Sequence, residues 1–192
     1  MRIVGGIWRG RSFDAPEGRE TRPTTDRMRE SVASMIMSAF DLDLSGCSVL
    51  DAFAGSGGMG LELLSRGAMH CTFCERDRRC AQLIKKNCKV LGASDEMASV
   101  VVGDVARLAH RGEVAGSPFS LVFLDPPYAM PATDVATVVE SLCEARMLTS
   151  NCLVVYERAR DGRQLELAGF ANQRSKRHGG TCIDVLQRGG MQ

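Results

Sequence analysis

The chain has 192 residues, 44 % of them hydrophobic, and a formal net charge of +1. That length suits one compact domain with a small appendage, and that apolar content excludes a largely disordered chain. The start, Met1-Arg2-Ile3-Val4-Gly5-Gly6, has no signal-peptide apolar run, and no stretch nears the roughly 18 uncharged apolar residues of a membrane span. A cytoplasmic protein with no membrane partner is expected.

Residues 3–13 read as two short β segments around a Gly/Arg turn, too small a hairpin to stand alone. Residues 14–25 read as loop, with Pro16, Gly18, Pro23, Thr24 and Thr25. Met28, Val32, Met35, Ile36, Ala39 and Phe40 then recur at helical spacing. Thr25 or Asp26 is placed to cap that helix, and Gly46 marks its exit. From residue 48 strand and helix alternate. The expected strands are 49–53, 70–74, 98–102, 121–124 and 152–156, and the expected helices 59–66, 78–91, 105–110 and 135–144. The tail reads as two strands, roughly 170–177 and 182–187, joined at His178-Gly179-Gly180. Such alternation implies an α/β, mostly parallel sheet covered on both faces. The last strand pair has no long crossover, which implies an antiparallel C-terminal end. Two parts are expected: an N-terminal hairpin, loop and helix over 1–45, and a Rossmann-like domain over 46–192.

Eight cysteines raise the question of disulfides or metal. Without a signal peptide, buried thiols are the expectation. Cys71-Thr72-Phe73-Cys74 spells CxxC, but in a strand residues three apart face opposite sides, which suits neither a metal clamp nor a redox pair. No metal is expected. Of the 24 basic residues, 20 are Arg and 4 are Lys. Residues 1–13 carry Arg2, Arg9 and Arg11 with no acid. Residues 158–178 carry Arg158, Arg160, Arg163, Arg174, Lys176 and Arg177 against Asp161 and Glu166. Arginine's planar fork suits phosphates and base edges, although a basic stretch is more often a solvated face.

Asp51-Ala52-Phe53-Ala54-Gly55-Ser56-Gly57-Gly58-Met59-Gly60 follows the first strand of the alternating region and opens a helix. Glycines there let the backbone turn tightly and approach a ligand. A tight turn alone, or a dinucleotide site, would use them too. Asp51 discriminates: it would repel a pyrophosphate but suits the cationic amino end of S-adenosylmethionine. Glu75, at the end of the next strand, can accept from both ribose hydroxyls of either nucleotide ligand. Gly103-Asp104 closes the third strand, where Asp104 could meet an adenine amino group or simply cap a helix.

Asp125-Pro126-Pro127-Tyr128 follows the fourth strand, beside the first in a doubly wound sheet, where ligands gather. A rigid turn is the plain alternative. The chemistry fits amino-group methylation. The lone pair of a purine amino group is delocalised into the ring and must localise to attack a methyl. The Asp125 carboxylate and Pro126 carbonyl can accept its two N–H groups, and Tyr128 can stack on a base drawn out of its helix. Pro127 adds stiffness and no competing donor.

These motifs resemble class I S-adenosylmethionine-dependent methyltransferases that modify exocyclic amines. Met1–Gly6, Trp8-Arg9-Gly10-Arg11 and Arg22-Pro23-Thr24-Thr25-Asp26-Arg27-Met28-Arg29-Glu30 narrow the likeness to the RsmD family, bacterial enzymes that methylate N2 of one guanine in 16S rRNA. The resemblance covers almost the whole chain. It implies S-adenosyl-L-methionine as cofactor, held by Asp51, Phe53, Gly55, Ser56, Gly57, Glu75, Arg76, Asp104, Val105 and Asp125. It implies Asp125, Pro126, Pro127 and Tyr128 around the target base, and Arg9, Arg11, Arg22, Thr24, Thr25, Arg27 and Arg29 against RNA. The implied partner is 16S rRNA within a 30S subunit or assembly intermediate, met by a monomer. The alternatives are a DNA adenine-N6 methyltransferase, opposed by the lack of an evident DNA-reading domain; a protein amide methyltransferase, opposed by Asp at 125; a Rossmann-type oxidoreductase; and a non-catalytic nucleotide- or RNA-binding module.

Overall fold

The computed structural model describes residues 1–16 and 25–189. The expected RNA contacts Arg22 and Thr24 lie outside the described residues.

The elements run α1 (Asp26–Ala39), β1 (Ser48–Asp51), α2 (Gly58–Ser65), β2 (His70–Glu75), α3 (Arg78–Leu91), β3 (Ala98–Val102), α4 (Val105–Arg111), β4 (Phe119–Leu124), α5 (Ala132–Glu144), β5 (Leu148–Ala159), β6 (Phe170–His178) and β7 (Thr181–Arg188). The strands form one sheet in the order β3-β2-β1-β4-β5-β7-β6. β1 to β5 pair in parallel, and β7 inserts antiparallel between β5 and β6. β1 is buried along its whole length, as a central parallel strand covered on both faces must be. Strand alternation splits the core in two. Val49, Phe73, Leu121, Phe123 and Val155 pack with Val32, Ile36, Leu61 and Ile84 of α1, α2 and α3. Leu50, Cys74, Val122, Leu124 and Val154 pack with Ala109, Val135 and Val139 of α4 and α5. Cys71 and Cys74 thus belong to opposite layers. Seven of the eight cysteines are buried thiols.

Local signals explain the helix ends. The Thr25 side chain accepts from Met28 N–H and caps α1. The Asp77 carboxylate accepts from Arg79 and Cys80 N–H at the start of α3, and left-handed Gly92 closes it. β5 is longer than the apolar run 152–156 indicates, because its polar ends still hydrogen-bond to β4 and β7.

The N-terminal segment folds back on itself as a short antiparallel hairpin docked on α2. Its strand pairing is a single bridge, Arg2 with Ser12. Backbone hydrogen bonds close it across the turn, with Ile3 N–H donating to Arg11 O, Gly10 N–H to Ile3 O and Phe13 N–H to Met1 O, each at 2.9 Å, and α2 takes further groups. Val4 and Gly5 N–H donate to the buried Glu62 carboxylate, each at 2.8 Å, and Trp8 N–H donates to Ser65 Oγ at 2.9 Å. Arg66 donates to the same carboxylate at 2.9 Å. Ile3, Trp8 and Phe13 enter the α1–α3 layer of the core, so this segment is fixed to the fold by side chains rather than by a sheet.

Among the described residues, no helix is long and apolar enough to cross a membrane.

Candidate active site

The ends of the parallel strands meet in a cleft of about 910 Å³. Its wall includes Asp51 from β1, Glu75 from β2, Asp104 after β3, Asp125 after β4 and Glu157 from β5. Consecutive strands of the sheet each deliver a carboxylate to the same rim, which makes the cleft a trap for cationic or N–H-rich ligands.

The glycine turn is shaped by close packing. A Cβ on Gly60 would stand 2.3 Å from the Phe73 ring and 2.6 Å from Cys71 Sγ, so only glycine lets α2 lie this near β2. Gly57 is left-handed, with φ of 81°, and its open side faces Ile84 and Phe73. It is buried and forms the turn from behind, while Gly55, Ser56, Phe53 and Gly58 line the cleft. Asp51 Oδ2 accepts from Gly60 N–H at 3.0 Å, which ties the β1 acid to the first turn of α2. Burial pushes the Asp51 carboxyl up to about 7; the Gly60 hydrogen bond opposes this, and the charges of Asp125 and Glu75 add to it. Glu75 accepts Gly55 N–H on one oxygen and Asp77 N–H on the other, both at 2.8 Å, so its remaining lone pairs face the cleft in a fixed orientation. Asp104 caps α4 through Arg107 N–H at 3.1 Å, and it also lines the cleft beside Val105 and Ala106. Arg76 lines the same wall and is exposed.

Asp125, Pro126, Pro127 and Tyr128 form the opposite rim. Pro126 is buried, while Tyr128 is 66 % exposed, an aromatic face held out over the opening. A second cavity of about 340 Å³ adjoins the tetrapeptide and continues along Tyr156, Arg158 and Arg163. Burial pushes the Asp125 carboxyl upward. Glu157 shifts the same way, first by burial and then by the charge of Asp125. Two neighbouring buried carboxylates resist ionising together.

Glu157 carries no sequence signal of its own. It sits inside a polar half-strand, and its meaning comes from the pairing of Leu124 with Tyr156, which brings the next residue of each strand side by side. Asn87 was equally silent. Its amide donates to the Ser56 and Asp14 carbonyls at 3.2 and 3.0 Å and so holds the glycine turn against the N-terminal segment.

The expected RNA contacts separate into different roles. Arg9 and Arg27 are exposed. Thr25 is exposed and caps α1. Arg11 points its guanidinium at the C-terminal carbonyls of α3, donating to Leu91 O at 2.6 Å and to Val90 O. Arg29 is buried and turned inward. It is 1 % exposed, donates to Arg2 O at 2.6 Å and Asp26 Oδ1 at 2.7 Å, lies over the Phe13 ring, and forms part of the cleft wall. Its burial follows from α1 packing its own face onto the N-terminal segment.

The chain matches, over residues 1–187, the family model described as "Conserved hypothetical protein 95". It is 37 % identical over 162 residues to ribosomal RNA small subunit methyltransferase D of Haemophilus influenzae, a match covering 84 % of this chain and 80 % of that protein. The chain belongs to the RsmD family. The Bacillus subtilis relative YlbH is 36 % identical over 191 residues, 99 % of this chain and all of that one. Among solved structures, Escherichia coli yhhF superposes with a TM-score of 0.81 at 32 % identity, covering 100 % of this chain and 99 % of that chain. The seven-stranded sheet with its antiparallel β7 is a class I, Rossmann-like methyltransferase fold, as the sequence indicated. The tetrapeptide and the glycine turn both fall inside the RsmD family match.

Proposed function

We propose that the protein transfers a methyl group from S-adenosylmethionine to the exocyclic N2 of a guanine in small-subunit ribosomal RNA. The observation that carries this reading is the single cleft that holds both the Asp51–Gly60 turn and the Asp125–Tyr128 tetrapeptide.

The wall of the cleft fits that cofactor. A pyrophosphate would meet Asp51, Glu75 and Asp125 with like charge, whereas a sulfonium and an ammonium meet opposite charge. Asp51 and the Gly55–Ser56 backbone would hold the amino-acid end, Glu75 the ribose, and Asp104 with Val105 the adenine. When bound, the cofactor supplies an electrophilic methyl.

The residues of this chain do the rest. The Asp125 carboxylate and the Pro126 carbonyl accept the two N–H groups of the target amine and hold its lone pair toward the methyl. Methyl transfer would leave the amine nitrogen cationic, and it would then give up one proton. Asp125, its carboxyl raised by burial, is suited to receive it. Tyr128 supplies a stacking face for a base drawn out of its helix. Exposed Arg9 offers a phosphate contact, as does exposed Arg27, which has Lys176 and His178 of β6 nearby. The relatives named ribosomal RNA small subunit methyltransferase D support rRNA as the acceptor, within a small-subunit particle or its precursor.

The test is transfer of labelled methyl to small-subunit particles that lack the modification. N2-methylguanine is the expected product. Label in N6-methyladenine of DNA would replace this reading with that of a DNA methyltransferase.

A further inference from the structure

Glu157 has no structural use that the fold explains. It is 6 % exposed, and its Oε2 is buried without a hydrogen-bond partner. The neighbouring cation is already taken: Arg158 Nε donates to Asp184 Oδ2 at 2.6 Å. An acid buried in this way disfavours the folded chain unless something supplies a donor. The side chain lines the cleft next to Asp125 and adjoins Pro126 and Tyr128, where the target base would lie.

We infer that Glu157 reads the Watson–Crick edge of the target base, accepting the N1–H of guanine while Asp125 and Pro126 hold its N2, and so selects guanine over adenine. The inference rests on the function proposed above. The donor count supports it. Guanine presents three N–H donors on the two nitrogens that flank C2 on this edge, one at N1 and two at N2. The rim presents three acceptors in matching number: the Glu157 carboxylate, the Asp125 carboxylate and the Pro126 carbonyl. Adenine presents its amino group beside a bare N1 lone pair, which offers the carboxylate no donor, whereas guanine's N1–H favours the ionised form that burial and Asp125 oppose in the empty cleft. The tetrapeptide supplies the reaction at any purine amine; Glu157 supplies the identity of the purine.

The experiment compares guanine with 2-aminopurine. That base keeps the 2-amino group, carries a lone pair where guanine has N1–H, and lacks O6. Wild-type protein with labelled S-adenosylmethionine first locates the N2-methylated guanine in small-subunit particles. Particles rebuilt with 2-aminopurine at that position then give kcat/KM for each base. Wild type is expected to favour guanine by roughly 100-fold or more. In Glu157→Gln the amide N–H can donate to the lone pair, and the guanine preference is expected to fall at least about tenfold. Glu157→Ala neither accepts nor donates and should move the preference in the same direction by less. Should both variants lose activity on the two bases in equal proportion, Glu157 is a structural residue and the inference is overturned, with the proposed function intact. Absence of N2-methylguanine with wild type overturns both.

Discussion

Asp51 is a carboxyl that the fold holds in an unfavourable place for its charge. It is buried, ordered by Gly60 N–H, and faced by two other acids. Its carboxyl, raised to about 7, keeps its proton in the folded chain over a range where the unfolded chain has lost it. Unfolding therefore releases that proton between pH 4 and about 7, and stability falls as pH rises through that window. Asp125 and Glu157, also raised, act in the same direction. Asp51→Asn should flatten this slope and raise the melting temperature of the ligand-free protein at pH 8, while weakening S-adenosylmethionine binding. Denaturation curves across pH 5–8, paired with calorimetric titration, check both halves. Asp125→Ala should lower kcat by about 10³-fold or more and leave cofactor affinity nearly unchanged. Equal losses in turnover and affinity would move Asp125 to the cofactor side. Asp51 and Asp125 were legible in the sequence because glycines or prolines follow them, and Glu75 because it ends the strand after the glycine turn. Glu157 was not, since its place in the cleft depends on the pairing of β4 with β5 across about thirty residues of chain.

Elements carry consequences that single residues do not. α2 is buried at all eight positions and lies against β2 with no room for a methyl at Gly60. Gly60→Ala should destabilise the protein by about 1–3 kcal/mol, measured by chemical denaturation. The N-terminal segment shows why a basic motif is ambiguous. Arg9 and Arg11 look alike in sequence, yet Arg11 closes the end of α3 while Arg9 is exposed. Arg11→Ala should cost about 1 kcal/mol of stability through the lost carbonyl contacts. Arg9→Ala should leave stability unchanged and reduce the salt slope of RNA binding by about 1. Helix spacing read α1 and α3 closely, because their apolar stripes and caps are local. The hairpin of residues 3–13 was legible from its turn, but its anchorage was not, because Glu62 and Ser65, which accept from Val4, Gly5 and Trp8, lie on α2 some fifty to sixty residues away.

At the scale of the whole molecule, the sheet order does the functional work. Placing β1 and β4 side by side joins a glycine turn to a proline turn that are about seventy residues apart in sequence. Strand–helix alternation was enough to foresee the parallel sheet and its antiparallel end. It could not show that α1 and the N-terminal segment close one side of the cleft, with Met1 and Arg29 in its wall. The most direct measurement is the nucleoside composition of small-subunit rRNA from cells with and without the protein. The account predicts that one N2-methylguanine disappears with the protein and returns with the wild-type chain but not with Asp125→Ala. An unchanged N2-methylguanine content, with N6-methyladenine lost from DNA instead, would contradict it.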